Sequence, residues 1–186
     1  MFFKVHTPAT APTGSRPQLE STERRLGFIP NLTGELAESP AALEGYLAAS
    51  AAFAKSSFTA LERELILVAV SVEDGCHYCT AAHTTSAEWQ GVDLEVIAAV
   101  RDDRPVADRR LEALRRFVLR TVRARGWVSD TEVQAFIDAG FSKAAVLEVA
   151  LGIGLKTFSN TVNHITETPL DAAFQPHAFT PARRVN

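Results

Sequence analysis

Helix-start signals recur through the central part of this sequence, and they constrain its fold more than any other feature. Ser39 is a good capping residue, and Pro40 after it suits the first position of a helix. Thr59 is followed three residues later by Glu62, which is the spacing of a capping box. No run of alternating β-branched residues predicts a strand. The chain is therefore expected to be all-α.

The sequence predicts one helical domain between two arms. Residues 1–17 and 168–186 are rich in proline, and we expect both arms to be extended. The domain between them, residues 18–167, is long enough to bury one core. Helices are predicted there at about 19–26, from near 32, and at 40–55, 59–72, 76–90, 93–100, 106–124, 130–139 and 142–165. The last of these is nearly all apolar in its first half, which predicts a central place in the bundle.

The charge and hydropathy patterns exclude two classes of partner. Nineteen Lys and Arg against 22 Asp and Glu give a net charge of -3, so no positive field is present to hold a nucleic-acid backbone. No apolar run reaches the roughly 18 to 20 residues that span a bilayer, and the first residues lack the apolar stretch of a signal peptide. We expect a cytoplasmic protein, in which a pair of cysteines is more often catalytic or metal-binding than a structural disulfide.

The chain has two cysteines, Cys76 and Cys79, and His83 follows them four residues later. On an α-helix these three residues lie within roughly 60° of one another and share one face. A thiol reacts as its thiolate, and the first turn of a helix stabilises negative charge. We expect both cysteines in such a turn, where His83 can exchange a proton with the Cys79 sulfur. The spacing predicts a nucleophilic thiol, a base, and a second thiol that can close a disulfide after oxidation.

Glu64 lies twelve residues before Cys76, on the preceding predicted helix. A hairpin through Asp74 and Gly75 would fold that helix back over the cysteine face, which makes Glu64 a candidate proton relay. The alternative is a surface carboxylate paired with an arginine. His77 points about 100° away from the cysteine face and is expected at the surface or at an interface.

The residues Glu64, Cys76, Cys79 and His83 form the pattern E-x11-C-x2-C-x3-H. This pattern resembles the signature of the AhpD-like branch of the carboxymuconolactone decarboxylase superfamily. The helices predicted within 59–91 resemble the core of that family, and we take this segment as the redox core.

The resemblance extends more weakly beyond that core. Residues 27–32 and 168–171 are similar to segments of the longer, peroxidase-related members of the family. The chain departs from the better-studied members at Tyr78, where they carry a histidine immediately before the second cysteine. The proton relay is therefore expected to be arranged differently here.

What the resemblance implies is an all-α bundle that assembles into homo-oligomers and reduces hydroperoxides through a dithiol–disulfide cycle. It implies that Cys79 is the peroxidatic cysteine, that Cys76 is the resolving one, and that His83 and Glu64 relay protons. The implied partners are a peroxide substrate and an external dithiol or disulfide-reducing protein as electron donor. No organic cofactor and no metal are required.

Several alternatives stay open for the cysteine pair. A dithiol–disulfide oxidoreductase or carrier would use the same thiols without peroxide chemistry. A metal-binding or structural oligomeric module is another: Cys76, Cys79 and His83 supply three zinc ligands, and Glu64 or His164 would complete the set. Two buried structural thiols are a third. Without a metal site, His164 is expected only to cap or pack the end of its helix. Decarboxylation of a lactone needs no cysteine pair and is disfavoured.

Overall fold

A computed structural model describes residues 2–180, and every regular element in that part of the chain is helical. The α-helices are α1 (Arg16–Leu26), α2 (Asn31–Leu36), α3 (Pro40–Phe53), α4 (Ala60–Glu73), α5 (His77–Trp89), α6 (Leu94–Arg101), α7 (Arg109–Arg123), α8 (Asp130–Asp138) and α9 (Lys143–Thr166). Short 3-10 helices cover Thr13–Ser15 and Ala172–His177. Each predicted helix is present, and the prediction of an all-α, single-domain bundle is confirmed.

Capping side chains fix the first turns of α4 and α7. Thr59 and Glu62 form the predicted capping box, with Glu62 N–H donating to Thr59 Oγ1 at 3.2 Å and Thr59 N–H to Glu62 Oε2 at 2.8 Å. Helix α7 begins later than the predicted residue 106, because the carboxylate of Asp108 accepts hydrogen bonds from the backbone of Arg110 and Leu111. A side chain that accepts these free N–H groups fixes the first turn.

The prediction of two extended arms is wrong in part. Helix α1 begins at Arg16, inside the predicted arm 1–17, because proline is compatible with the first turn of a helix and Pro17 lies there. The second arm, 168–186, contains the 3-10 helix Ala172–His177, in which Phe174 is buried against the bundle. Apolar contacts thus order both segments. Residues 1 and 181–186 of the predicted arms lie outside the described residues.

Helix α4 lies at the centre of the bundle and packs against α5, α6, α7 and α9. Its side chains from Leu65 to Val70 are all buried, which explains why its sequence is apolar on nearly every side. Helix α9 packs against α3 and α4, in agreement with its predicted central place. None of the helices in residues 2–180 is long and apolar enough to cross a membrane.

The buried apolar side chains form two clusters, which we call the main core and the second core. The main core lies between α3, α4 and α6–α9 and contains Ile66, Leu114 and Val149. The second core joins the first forty residues to α5 and the end of the chain. Its members include Leu19, Leu32, Leu36, Leu43, Cys76, Tyr78, Cys79 and Phe174. Both cysteines therefore lie in the second core. Residues from the first forty positions and Phe174 cover this core.

Candidate active site

Cys76 and Cys79 lie at the start of α5. The helix begins at His77, and the Cys76 sulfur caps it by accepting a hydrogen bond from the Cys79 backbone N–H at 3.5 Å. Gly75, with φ 68°, makes the turn from α4, a conformation that costs glycine no steric strain. Both thiols are free and buried, with 0% and 2% of their surface exposed. The two sulfurs thus lie in the helix turn that best tolerates negative charge.

Glu64 on α4 forms a buried cluster with side chains of α5. Its Oε2 lies 3.0 Å from His83 Nδ1, and its Oε1 accepts hydrogen bonds from Ser86 Oγ at 2.8 Å and Gln90 Nε2 at 2.6 Å. Burial alone raises the pKa of Glu64, but the charge of His83 and these hydrogen bonds outweigh it and lower the pKa. Glu64 is therefore ionised at neutral pH. Its carboxylate orients the imidazole and leaves Nε2 without a hydrogen-bond partner among residues 2–180.

One alternative for this cluster needs correction. Glu64 is only 5% exposed and pairs with no arginine among residues 2–180, so the surface ion-pair alternative is wrong. Proton exchange between His83 and the Cys79 sulfur stays a prediction, and within the described residues the ring makes no hydrogen bond to either cysteine. The buried carboxylate is the stronger acceptor and holds the ring towards α4.

The Cys79 sulfur is surrounded instead by polar side chains of α9. Asn163 Nδ2 donates to Cys79 Sγ at 3.0 Å, and the hydroxyl of Ser159 lies 3.8 Å from the same sulfur. The ammonium of Lys156 donates to that hydroxyl at 3.0 Å. All three α9 side chains are at most 2% exposed. They form a polar wall that the sequence analysis did not identify.

A periodic signal could have found this wall. Lys156, Ser159, Asn160 and Asn163 are spaced i, i+3, i+4 and i+7, which places them on one face of the helix that was predicted to be central. Polar residues on a face that must be buried are candidates for a functional site, because burying them has a cost.

The charges around Cys79 favour its thiolate. Burial alone raises the pKa of Cys79, but its hydrogen bond with the Cys76 thiol and the charges of Lys156 and His83 bring the pKa well below its usual range. The opposite holds for Cys76, whose hydrogen bond with Cys79 and burial raise the pKa. These directions favour a thiolate at Cys79 and a protonated thiol at Cys76.

A second buried contact holds the turn between α4 and α5. Asn160 Nδ2 donates to Asp74 Oδ2 at 2.7 Å. The carbonyl oxygens Oδ1 of Asn160 and Asn163 are buried and have no hydrogen-bond partner among the described residues. Two unused acceptors therefore lie beside the thiol, in a place where unpaired polar groups are rare.

Tyr78 links the cysteine turn to both ends of the chain. Its hydroxyl donates to Asp171 Oδ2 at 2.6 Å and accepts from the backbone N–H of Leu32 at 3.3 Å. The Asp171 carboxylate also accepts from the backbone N–H of Asn31, with both oxygens at 3.1 Å. Burial and the carboxylate raise the pKa of Tyr78, so it stays protonated. Tyr78 thus forms a tether between segments 27–32 and 168–171.

An open cleft of about 1200 Å³ reaches the residues that hold Cys79. Asn160 and Asn163 line it, and His77 and His164 lie at its surface, both exposed. In the described part of the chain, neither histidine makes a hydrogen bond to the cysteines or to Glu64. The cleft therefore reaches Asn163, the side chain that donates to the Cys79 sulfur, and neither cysteine lines it.

The arrangement does not favour a metal site. Among residues 2–180, no three His, Cys, Asp or Glu side chains are grouped so that they could hold a metal ion. Glu64 and His83, two of the ligands considered for zinc, bind each other instead of converging on the sulfurs. The groups that remain are a thiolate, a neighbouring thiol, hydrogen-bond donors and a carboxylate–imidazole pair, which is a set suited to nucleophilic thiol chemistry.

Comparison with known proteins relates this site to one family. The sequence model of the carboxymuconolactone decarboxylase family matches residues 37–117, a segment that contains Glu64, both cysteines and His83. No curated protein matches the chain.

Solved structures share the fold over almost the whole chain. An uncharacterized peroxidase-related protein from Ralstonia eutropha JMP134, described as an alkylhydroperoxidase AhpD core, has a TM-score of 0.84 and 23% identity, covering 92% of this chain and 93% of that one. A peroxidase-related protein from Silicibacter sp. TM1040 has a TM-score of 0.80 and 21% identity, covering 94% and 92%. The debrominase Bmp8, as a variant in complex with 2,3,4-tribromopyrrole, has a TM-score of 0.76 and 19% identity, covering 94% and 96%.

The fold, the matched segment and the four spaced residues agree with one another. Their agreement confirms the resemblance on which the site residues were selected, whereas the roles of those residues stay predictions. Residues 37–117 are thus similar to the carboxymuconolactone decarboxylase family, and the described chain has the fold of the AhpD-like, peroxidase-related proteins.

Proposed function

We propose that this protein is a thiol-dependent hydroperoxide reductase in which Cys79 is the peroxidatic cysteine and Cys76 the resolving one. The observation that carries the proposal is the environment of Cys79. Its sulfur accepts a hydrogen bond from Asn163, has Cys76 one turn away, and lies in a field that favours the thiolate. A thiolate next to a protonated thiol is what a dithiol peroxidase needs.

In the first step, the Cys79 thiolate attacks the terminal oxygen of a hydroperoxide. The S–O bond forms as the O–O bond breaks, so the peroxide is reduced by two electrons and the sulfur is oxidised to a sulfenic acid. The leaving alkoxide takes up a proton. His83 Nε2 is the proposed donor, because Glu64 holds Nδ1 and Nε2 has no hydrogen-bond partner among the described residues.

In the second step, the Cys76 thiol attacks the sulfenic sulfur. The S–S bond forms, the S–O bond breaks, and the proton of Cys76 leaves with the hydroxide as water. An external dithiol then reduces the Cys76–Cys79 disulfide by thiol–disulfide exchange and restores both thiols. No organic cofactor or metal takes part in the cycle.

Burial of the cysteines favours peroxide over a protein disulfide as oxidant. Both sulfurs are almost fully covered, and a cleft leads to the side chains beside them. A hydroperoxide group is small enough to pass along such a cleft, whereas a disulfide on another protein needs a sulfur at the surface. The carrier function is therefore the second candidate, and a small dithiol is the reductant to try first.

Two further features belong to the proposal. Three apolar side chains on the outside of α9 are exposed: Leu147 at 73%, Phe158 at 38% and Ile165 at 65%. Such apolar stripes are typical of subunit contacts. We therefore propose a homo-oligomer, which sedimentation would check.

Free thiols are typical of a reducing compartment, and we propose a cytoplasmic location.

The test is peroxide consumption with a small dithiol as reductant, comparing the native chain with Cys79→Ser and Cys76→Ser. We expect loss of turnover in Cys79→Ser. In Cys76→Ser a single oxidation of Cys79 should occur, followed by inactivation as the sulfenic acid oxidises further. A brominated pyrrole serves as comparison substrate, since a debrominase shares this fold.

Two histidines near the cysteines give a matched control. His83→Gln should lower turnover because His83 holds the proposed proton, and His77→Gln should not because that side chain is exposed and not hydrogen-bonded to the site. Equal turnover in native and Cys79→Ser protein would overturn the proposal. Rapid exchange with a small disulfide but no peroxide consumption would favour the carrier function.

A further inference from the structure

Lys156 is a buried cation that has no carboxylate partner among residues 2–180. Its side chain is 2% exposed, and its ammonium donates to the Ser159 hydroxyl at 3.0 Å. Among the described residues it takes part in no ion pair with Asp or Glu, although arginines and histidines elsewhere do. Burying an ammonium without an anion has a large free-energy cost. Lys156 therefore needs a negative partner inside the bundle.

The buried carboxylates near α9 are already engaged. Glu64 is held by His83 of α5, Asp74 accepts a hydrogen bond from Asn160, and Glu35 accepts hydrogen bonds from Thr166 and Thr168. Burial raises the pKa of Asp74, against the hydrogen bond from Asn160 and the charges of His164 and Lys156. None of these carboxylates forms an ion pair with the ammonium of Lys156 within the described residues.

The remaining acidic groups around Lys156 are Tyr46 on α3 and the two cysteines on α5. Burial raises the pKa of Tyr46, and the hydrogen bond with Cys79 and burial raise the pKa of Cys76, so both stay protonated. Cys79 is different, because its sulfur and the ammonium of Lys156 approach the same Ser159 hydroxyl, at 3.8 Å and 3.0 Å. Among the described residues, the Cys79 thiolate is the anion that this geometry offers to Lys156.

We propose that Lys156 is a positioning residue that keeps Cys79 ionised, by holding as a buried ammonium the proton that the thiol gives up. The step is balanced: Cys79 S–H and a neutral Lys156 amine become a thiolate and an ammonium, with the Ser159 hydroxyl between them. The role of this ion pair in turnover rests on the proposed function, but the ion pair itself does not.

Tyr78, the residue before Cys79, is turned to Asp171 and brings no positive charge to the Cys79 sulfur. His83 adds positive charge from α5, but its ring is bound to Glu64. Lys156 adds positive charge from α9.

The experiment measures the ionisation of Cys79 directly. In a Cys76→Ala background, so that Cys79 is the only thiol, the thiolate absorbance and the rate of alkylation by iodoacetamide are followed against pH. Removing an opposite charge this close should raise the midpoint by about one to three pH units, so Lys156→Met should lower the alkylation rate at neutral pH by about tenfold or more. Lys156→Arg should retain most of the native rate.

Lys143→Met provides the matched control, since it is the same substitution in the same helix at an exposed position. It should leave the midpoint unchanged. A midpoint in Lys156→Met within about 0.3 pH unit of that of its Cys76→Ala parent would overturn the proposal, because a neighbouring charge has a larger effect.

A double-mutant cycle on thermal stability covers the case in which Lys156→Met folds poorly. Cys79→Ser removes the anion and leaves the ammonium uncompensated, so adding Lys156→Met should restore stability to the serine variant. Effects that simply add would contradict the ion pair. If the midpoint shifts as expected but no peroxide is consumed, the ion pair stands and the proposed function fails.

Discussion

The two halves of α9 face the bundle with the same periodicity and opposite chemistry. The first half buries Ala145, Val149, Gly152 and Leu155 against α3 and α4. The second half buries Lys156, Ser159, Asn160 and Asn163 around Cys79. The boundary falls between two adjacent residues of one helix.

This difference separates packing from function. The first half removes hydrocarbon from water and stabilises the bundle. The second half contains a buried cation and two amide oxygens that have no hydrogen-bond partner within residues 2–180, and such groups reduce stability when they are buried. Polar residues are placed there at the expense of stability, which is what a reactive site requires. Substitutions in the two halves should therefore have opposite consequences.

The largest effect is expected from Asn163→Leu, in the polar half. The substitution removes the donor to Cys79 Sγ, and loss of one such donor should lower peroxide turnover on the order of 10²-fold. The free energy of unfolding should stay level or increase, since the amide oxygen of Asn163 is buried without a partner. Turnover assays and urea unfolding measure the two quantities.

The contrast would be lost if Asn163→Leu lowered stability and turnover in parallel. In that case the asparagine would serve the fold, and the polar half of α9 would be no different in kind from the apolar half. Thr161→Leu, on the exposed side of the same helix, is the control and should change neither quantity much.

Val149→Ala tests the apolar half. The side chain is fully buried in the main core, and deleting two methyl groups there should lower the free energy of unfolding by about 2 kcal/mol. Turnover per folded molecule should not change, because Val149 lies two turns of helix before Lys156. A shift in the alkylation rate of Cys79 would mean that the two halves are coupled.

Two glycines in α9 sharpen the comparison within its apolar half. A Cβ on Gly152 would lie 2.8 Å from Phe53 Cε2 and 3.0 Å from Ile66 Cγ2, so Gly152→Ala should cost about 1–2 kcal/mol of stability. A Cβ on Gly154 meets nothing within 4 Å, so Gly154→Ala should gain up to about 1 kcal/mol from helix propensity. Thermal unfolding of both variants gives the difference, and equal signs would refute the close packing of α9 on α4.

The part of the site on α4 and α5 could be predicted because it is local. Two consecutive helices joined by a turn at Gly75 allow one arrangement, and it brings Glu64 against the helix of both cysteines. The fold was predictable for a similar reason, since caps such as Thr59 act within a few residues.

The part of the site on α9 could not be predicted, because burial along a helix depends on what packs against it. The apolar first half was expected to be covered, yet Leu147 and Leu151 are 73% and 36% exposed, since only one side of the helix meets α3 and α4. Lys156 has the polarity of a surface residue and is buried. Its relation to a cysteine about 80 residues away is set by the tertiary structure.

The smallest effect concerns Glu64, a buried polar group in which both oxygens have partners. Because its pKa is lower in the folded chain, the carboxylate stabilises the fold fully above its unfolded pKa of about 4.3, and this contribution is lost as pH falls through the folded value. The stability advantage of native protein over Glu64→Gln should thus shrink as the solution is acidified below roughly pH 4. Urea unfolding across this range, with the exposed Glu44→Gln as control, measures it. If the stability difference between native protein and Glu64→Gln does not depend on pH, the charge of Glu64 does not stabilise the fold, and the Glu64 cluster resembles the polar half of α9. If the difference shrinks on acidification, a buried polar group with partners stabilises the fold. The loss of stability in the polar half of α9 would then come from the lack of partners and not from polarity itself.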